Sequence, residues 1–323
     1  MKVLILRDST RSLTGGIKKH CSDLYELFKD DSDINIQNII DLPCKFIPLL
    51  RKYIVNYSTL KKYIKNSQCN TIHIHGFMSI LALEAIYISK RLKKRIIYSP
   101  HFHPFKYLDR PILGILFYHT LLKPLLKYVD TIITINNEDT TFFSSFHKNV
   151  KKIPHWLEKE NSSEKISHTN NMILFVGRND SNKGIEHLYS LPPNKYEIHC
   201  VTGGILKRRD FIQHQNLSNN ELKELYKQAN VVVVPSRYEA FSLVALEALA
   251  NHTPIVISDR VKIADYLSNN KHYKIFKYGN YKEFEKAINE ILNQTQKHFD
   301  DTILLPFSKE KIKSTYKSIY TNN

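Results

Sequence analysis

VPSRYEAFSLVALEALANHTPIVISD, running from Val234 to Asp259, decides the fold. It is entered by Val231–Val234, an unbroken β-branched run of the kind found in strands covered on both faces. Pro235 to Tyr238 reads as a loop, Phe241 to about Asn251 as a helix, and PIVIS as the next buried strand. Apolar strands alternating with helices specify a parallel sheet with helices on both faces.

The alternation continues in both directions. Upstream lie the strand runs MILFVG and EIHCV and a helical stretch at ELKELYKQA; downstream comes YKEFEKAINEILNQ. The first half repeats the pattern with KVLIL, INIQNII, TIHIH, RIIYS and TIITI, and a helix from Ile17 to about Phe28. Polar EKENSSEKISHTNN separates the two series like a linker. At 323 residues the chain is expected to hold two α/β domains, one over 1–153 and one over 154–305, with a last helical stretch over 306–323.

Hydrophobic residues make up 42% of the chain, which supports globular cores and argues against disorder. Cys21, Cys44, Cys69 and Cys200 are far apart and lack metal-ligand spacing, as suits free thiols in a reducing compartment. The opening apolar run stops after four residues, too short for a secretory signal. PILGILFYHTLLKPLL from Pro111 is broken by His119, Lys123 and Pro124, short of the roughly 20 apolar residues a spanning helix needs. The expectation is a cytoplasmic protein, soluble or peripheral on the inner membrane face.

The net charge is +16, and residues 1–153 carry most of it, with 24 Lys and Arg against 12 Asp and Glu. A basic first half points to an anionic partner, nucleic acid or acidic lipid. IPLLRKYIVNYSTLKKYIKN from Ile47, with apolar residues near helical spacing, and KRLKKR from Lys90 suggest a basic surface for an anionic bilayer. The plainer alternative is an amphipathic helix packed on its own domain.

Ligands of open parallel sheets bind beyond the carboxyl ends of the strands, so the informative residues should lie in strand-to-helix loops. Glu239 precedes the helix of the opening motif and Glu247 lies within it, eight residues on. A helical rise puts them on the order of 12 Å apart, the reach from a donor sugar across a diphosphate to its ribose. Free amides at the helix start offer an anion site between them. Arg178 and Lys183 follow MILFVG in a loop bounded by Gly177 and Gly184, placed to offset charge developing on a departing diphosphate. Gly15 and Gly16 follow the first strand, where glycine permits close backbone approach to a ligand.

These motifs resemble, in order and spacing, those of glycosyltransferase family 4, the retaining GT-B enzymes. Glu239 and Glu247 match its E-x7-E signature; LTGGIKKH, HIHG, SPHFHPF, FVGRNDSNKGIEHL and the closing PFSKEKIKSTYKSIY match its other segments. The resemblance implies a GT-B fold, with two Rossmann-like sheets facing an interdomain cleft. The first domain would bind acceptor, the second a nucleotide sugar, and the last helix would cross back to the first domain. It implies transfer of a hexose or N-acetylhexosamine from a UDP- or GDP-sugar, with retention, to a lipid-diphosphate-linked saccharide in surface polysaccharide synthesis. The implied catalytic set is His101, Arg178, Lys183 and Glu239, with His103 a competitor for the place of His101 facing the sugar. The donor-binding set is Gly15, Gly16, Gly204, Ala240, Phe241, Ser242, Leu243 and Glu247.

No cofactor or catalytic metal is expected: His73, His75, His101 and His103 alternate on strand ends, but no cysteine or acid cluster joins them. Asp31-Ser32-Asp33 spells D-x-D but lies in a polar turn, and reads as a solvated loop. After Asp259 the chain reads RVKIADYLSNN, departing from the family pattern, and Asn251-His252 replaces the usual Asn-Gly. The alternatives are an epimerase or phosphorylase on the same fold, or a basic nucleic-acid-binding protein, although no nucleic-acid motif appears.

Overall fold

The computed structural model describes all residues except 8–15, 38–43, 48–51, 78, 103, 109–110, 158–170, 269–270, 295–298 and 322–323. Gly15, His103 and most of the polar linker thus lie outside the described residues. The chain divides into two compact units, Met1–His155 with Glu310–Asn323, and Trp156–Lys309.

In the first unit β1 (Lys2–Arg7) is followed by α1 (Gly16–Phe28), β2 (Asn35–Gln37) and an antiparallel hairpin, β3 (Cys44–Ile47) with β4 (Lys52–Val55). Then come α2 (Tyr57–Asn66), β5 (Thr71–His75), α3 (Ile80–Arg91), β6 (Arg95–Ser99), α4 (Pro111–Phe117), α5 (Lys123–Leu126), β7 (Thr131–Thr134), α6 (Asn137–Ser144) and β8 (Val150–Lys152). The helix suggested from Ile47 is therefore a hairpin followed by a shorter helix, because β-branched and aromatic residues in KYIV favour strand pairing. Asn56 caps α2 by accepting from the Ser58 and Thr59 amides. The helix packs on α3 with Leu60 and Ile64 fully buried, worth roughly 1.5–3 kcal/mol each. This is the plainer of the two readings for that segment.

The large sheet runs β2-β1-β5-β6-β7-β8, all parallel. Its order reverses between β1 and β5, so a ligand crevice is expected beyond their carboxyl ends. The C-terminal residues from Glu310 onward also belong to this unit. Tyr316 and Tyr320 are buried, and the Arg95 guanidinium donates to the Tyr320 carbonyl at 2.7 Å. Ser32 and Asp33 of the D-x-D turn are exposed, as expected of a solvated loop, but Asp31 is not. The Asp31 side chain is only 7% exposed and meets Lys313 at 3.2 Å and Lys317 at 3.5 Å. Asp33 also pairs with Lys317, so the turn clamps the returning helix.

The second unit contains β9 (Met172–Val176), α7 (Glu186–Tyr189), β10 (Glu197–Val201), β11 (Ile212–His214), α8 (Asn219–Gln228), β12 (Val231–Val234), α9 (Leu243–Ala250), β13 (Ile255–Ser258), β14 (Tyr273–Phe276) and α10 (Tyr281–Leu292); α11 (Lys309–Thr321) follows. A capping box joins Ser218 and Glu221 at the start of α8. The sheet order is β11-β10-β9-β12-β13-β14, again parallel. Counted within the unit this is 3-2-1-4-5-6, the doubly wound dinucleotide-binding order. Its reversal lies between β9 and β12, the two strands whose following loops carry Lys183 and Glu239. Among the described residues no helix is long and apolar enough to cross a membrane.

Candidate active site

Gly184 makes the site possible. It has φ +70°, and a Cβ there would fall 1.9 Å from the Pro235 carbonyl oxygen. With only hydrogen in that place, the loop after β9 lies directly on the loop after β12. The Arg237 amide donates to the Asn182 carbonyl at 2.8 Å and locks the two together. Asp180 shapes the first loop by accepting from the Lys183 amide through its carboxylate, at 3.0 Å.

This approach brings the Lys183 ammonium to 2.7 Å from Glu239 Oε1, with side-chain exposures of 23% and 13%. Ser236 Oγ donates to the same oxygen at 2.7 Å. The Glu239 backbone is fixed from a third loop: its amide donates to the Arg260 carbonyl, and its carbonyl accepts from the Lys262 amide. The segment after Asp259 thus meets Glu239 through its main chain.

Helix α9 starts at Leu243, later than the expected Phe241. Glu239 lies four residues before its start, so helical rise does not apply along all eight residues between the two acids. Ser242 caps the helix, accepting from the Ala245 amide, with a φ of +110° that non-glycine residues rarely adopt. Ala240, partly buried, and Phe241, buried, lie in the turn between Glu239 and the helix, whose first residue is the partly buried Leu243. Glu247 accepts from the Tyr226 hydroxyl at 3.0 Å. Burial, and after it the Glu247 carboxylate, push the Tyr226 phenol well above its ordinary value, so it stays a donor. His252 follows the helix at φ +57°, the left-handed position glycine would favour.

Other expected residues stand apart from this pair in their contacts. Arg178 is 74% exposed and pairs with Asp180 at 3.0 Å, rather than with Glu239. Gly204, at φ +80°, lies in the loop after β10, and Asn179 ties that loop to its own by donating to the Ile205 carbonyl at 2.9 Å. Gly16 is exposed at the start of α1, and a Cβ there would meet open space.

His101 belongs to the first unit, just past β6, at φ +45°. Its Nε2 lies 3.1 Å from His75 Nδ1, and burial holds its imidazole down to about 4, so the ring is neutral near pH 7. Sequence reasoning missed Ser236, Tyr226 and the 260–262 backbone. Ser236 stands three residues before Glu239, a spacing that was a usable signal; Tyr226 and residues 260–262 arrive through tertiary packing alone.

The fold and these strand-end loops define a GT-B protein of two Rossmann-like units. Residues 158–301, nearly all of the second unit, match the model of the glycosyl transferases group 1. It is 40% identical over 122 residues to an uncharacterised glycosyltransferase of Methanocaldococcus jannaschii, a match spanning 32% of this chain and 31% of that one. An O-antigen chain mannosyltransferase of Salmonella typhimurium is 31% identical over 103 residues, spanning 32% of this chain and 26% of the other. The chain thus matches less than a third of the length of either relative. Fold similarity extends much further. WaaB, a lipopolysaccharide outer core galactosyltransferase in its apo form, gives a TM-score of 0.73 at 13% identity, covering 99% of both chains. HepE of Anabaena in complex with UDP gives 0.71 at 15% identity, covering 99% of this chain and all of that one.

Proposed function

We propose that the protein is a retaining glycosyltransferase that takes a hexose or N-acetylhexosamine from a UDP- or GDP-sugar. The observation carrying this reading is the Lys183–Glu239 pair at the switch point of the second sheet. A cation and an acid held there in one contact offer opposite charges to a ligand that carries both a diphosphate and sugar hydroxyls. The diphosphate takes the ammonium, and hydroxyls donate to the carboxylate in its place. Arg178, exposed on the same loop, adds a planar fork for phosphate as the leaving group gains charge. Glu247 accepts from the ribose hydroxyls. In the retaining reaction the acceptor hydroxyl attacks the anomeric carbon on the face the diphosphate leaves. The C–O bond to phosphate breaks as the new one forms, and a phosphate oxygen takes the proton. His101, neutral, hydrogen-bonds a hydroxyl of the reacting sugar. No metal is assigned a part in this step.

The acceptor is proposed to be a lipid-diphosphate-linked saccharide of a surface polysaccharide, met at an anionic membrane face. Its support is the exposed apolar surface of the 111–122 region, where Ile112 is 79% exposed and Leu113, Leu116 and Leu121 at least half exposed. Exposed Lys123 and Lys127 follow directly. This surface differs from the 47–66 segment suggested by sequence, whose helix buries its apolar side. The test is a screen of UDP- and GDP-sugars with a lipid-diphosphate saccharide acceptor. A new glycosidic bond that is lost in Lys183→Ala and Glu239→Ala supports the reading; epimerised nucleotide sugar or free sugar phosphate as the product overturns it.

A further inference from the structure

Five histidines from four distant segments converge at the switch point of the first sheet: His20 of α1, His73 and His75 of β5, His101 after β6 and His155 after β8. All but His101 are buried. Ring centroids lie 5.6 Å apart for His20 and His75, 5.4 Å for His20 and His101, and 5.3 Å for His75 and His101. One ring nitrogen from each of these three comes within 4.8 Å of the other two. Strand periodicity groups only the histidines of the two strand ends; His20 of α1 joins them through tertiary packing.

We propose that His20, His75 and His101 bind a divalent first-row transition ion, zinc foremost, and that its binding inhibits the site. Zinc–imidazole bonds of about 2.0–2.1 Å in tetrahedral array place ligand nitrogens about 3.4 Å apart. His75 Nδ1 and His101 Nε2 already stand at 3.1 Å, and the His20 nitrogen, within 4.8 Å of its partners, has at most about 1.4 Å to close for a facial set. Neutral imidazole is the ligating form, and burial keeps all three rings neutral. An all-nitrogen donor set favours zinc, copper or nickel over magnesium or calcium.

The protons balance. One N–H proton lies between His75 Nδ1 and His101 Nε2, and both nitrogens must be bare to ligate. The proton moves to an outer ring nitrogen. His75 Nε2 is buried without a hydrogen-bond partner and is free to receive it, so the ring stays neutral and nothing need be oxidised or reduced. His155 acts as a positioning residue: its Nδ1, 2.9 Å from His20 Nδ1, accepts the N–H of that atom, so that His20 Nε2, 3.5 Å from the Tyr316 hydroxyl, is bare and leaves that contact for the ion. Outer partners of this kind orient a ligating ring. Because the ion takes His101, the ring proposed to contact the sugar, it competes with that contact. This inhibitory consequence rests on the transferase reading; the binding itself does not.

The experiment titrates Co(II) into chelator-washed full-length protein and follows its visible absorption. One equivalent per chain with the intense bands of a tetrahedral ion is expected, displaced by zinc. His75→Gln and His20→Gln should abolish the bands, and His155→Gln should weaken binding about 10–100-fold. Circular dichroism confirms that the variants are folded, and zinc should raise the melting temperature of the wild type but not of His75→Gln. Weak octahedral bands, or binding unchanged in folded His75→Gln, overturns the site. A protein that binds cobalt stoichiometrically yet transfers no sugar refutes the transferase reading alone.

Discussion

Lys183 Nζ and Glu239 Oε1 stand 2.7 Å apart, joined across two loops that follow different strands of one parallel sheet. Each charge is the other's main compensation in a partly buried place, so the pair is both a structural tie and a charge arrangement ready for a donor. Removing one partner leaves the other partly desolvated and unpaired. Lys183→Met and Glu239→Gln are each expected to cut transfer at least about 100-fold, in line with loss of a group that stabilises developing charge. The double variant should be less impaired than the product of the single effects, because neither remaining group is left stranded. Strict additivity in a double-mutant cycle of kcat/KM would argue against a shared function.

Glu247 and Tyr226 allow a binding effect to be separated from a chemical one. Tyr226→Phe removes a hydroxyl that the carboxylate accepts from. Glu247→Gln should raise the KM for the nucleotide sugar by roughly 5–100-fold, the equivalent of about 1–3 kcal/mol, with kcat less affected. Steady-state kinetics at varied donor concentration reads the split.

Gly184→Ala tests the close approach of the two loops. The methyl group would collide with the Pro235 carbonyl while the residue holds φ +70°. The expected cost is about 2–4 kcal/mol, measured by urea unfolding, together with loss of activity. Gly16→Ala, where the added carbon meets open space, is the contrasting control.

The histidine cluster makes stability depend on pH. Burial holds His73 and His155 down to about 3 and His101 to about 4; neighbouring His101 adds to the effect on His73 and His155. The unfolded chain takes up these protons near 6.5, and the folded chain refuses them until far lower. Stability is therefore complete above about pH 6.5 and falls toward pH 4, by roughly 1.4 kcal/mol per pH unit for each such ring. Thermal melting of chelator-washed protein across this range should show the decline; a flat profile would mean that the rings are not buried neutral.

Asp31 and Lys317 predict how the last helix is held. Burial raises the Asp31 carboxyl, but hydrogen bonds from the Asp33 amide, Lys313 and the Ile34 amide outweigh it and leave it below the ordinary range. Asp31→Asn should loosen residues 310–321, seen as faster amide hydrogen exchange there than in the wild type. Unchanged exchange would show that Tyr316 and Tyr320 suffice to hold the helix.

The α/β class was legible because continuous apolar runs such as VVVV and PIVIS have one stable use, as strands covered on both faces. Lys183, Glu239 and Glu247 were legible as candidates because strand-to-helix loops at set spacings mark them. The hairpin at 44–55 was not, since KYIV fits either period over so few residues. The role of D-x-D was also hidden, because its partners lie some 280 residues away on the last helix.

By itself, the sequence determined which segments are strands, which loops carry charge, and where glycine replaces a side chain; these are local consequences of periodicity and backbone freedom. Only the tertiary structure decided which of those loops meet. Lys183 reaches Glu239, and His20 reaches His75, because sheet order places distant strands side by side. Contacts between segments far apart in the chain depend on that order, which no local pattern encodes.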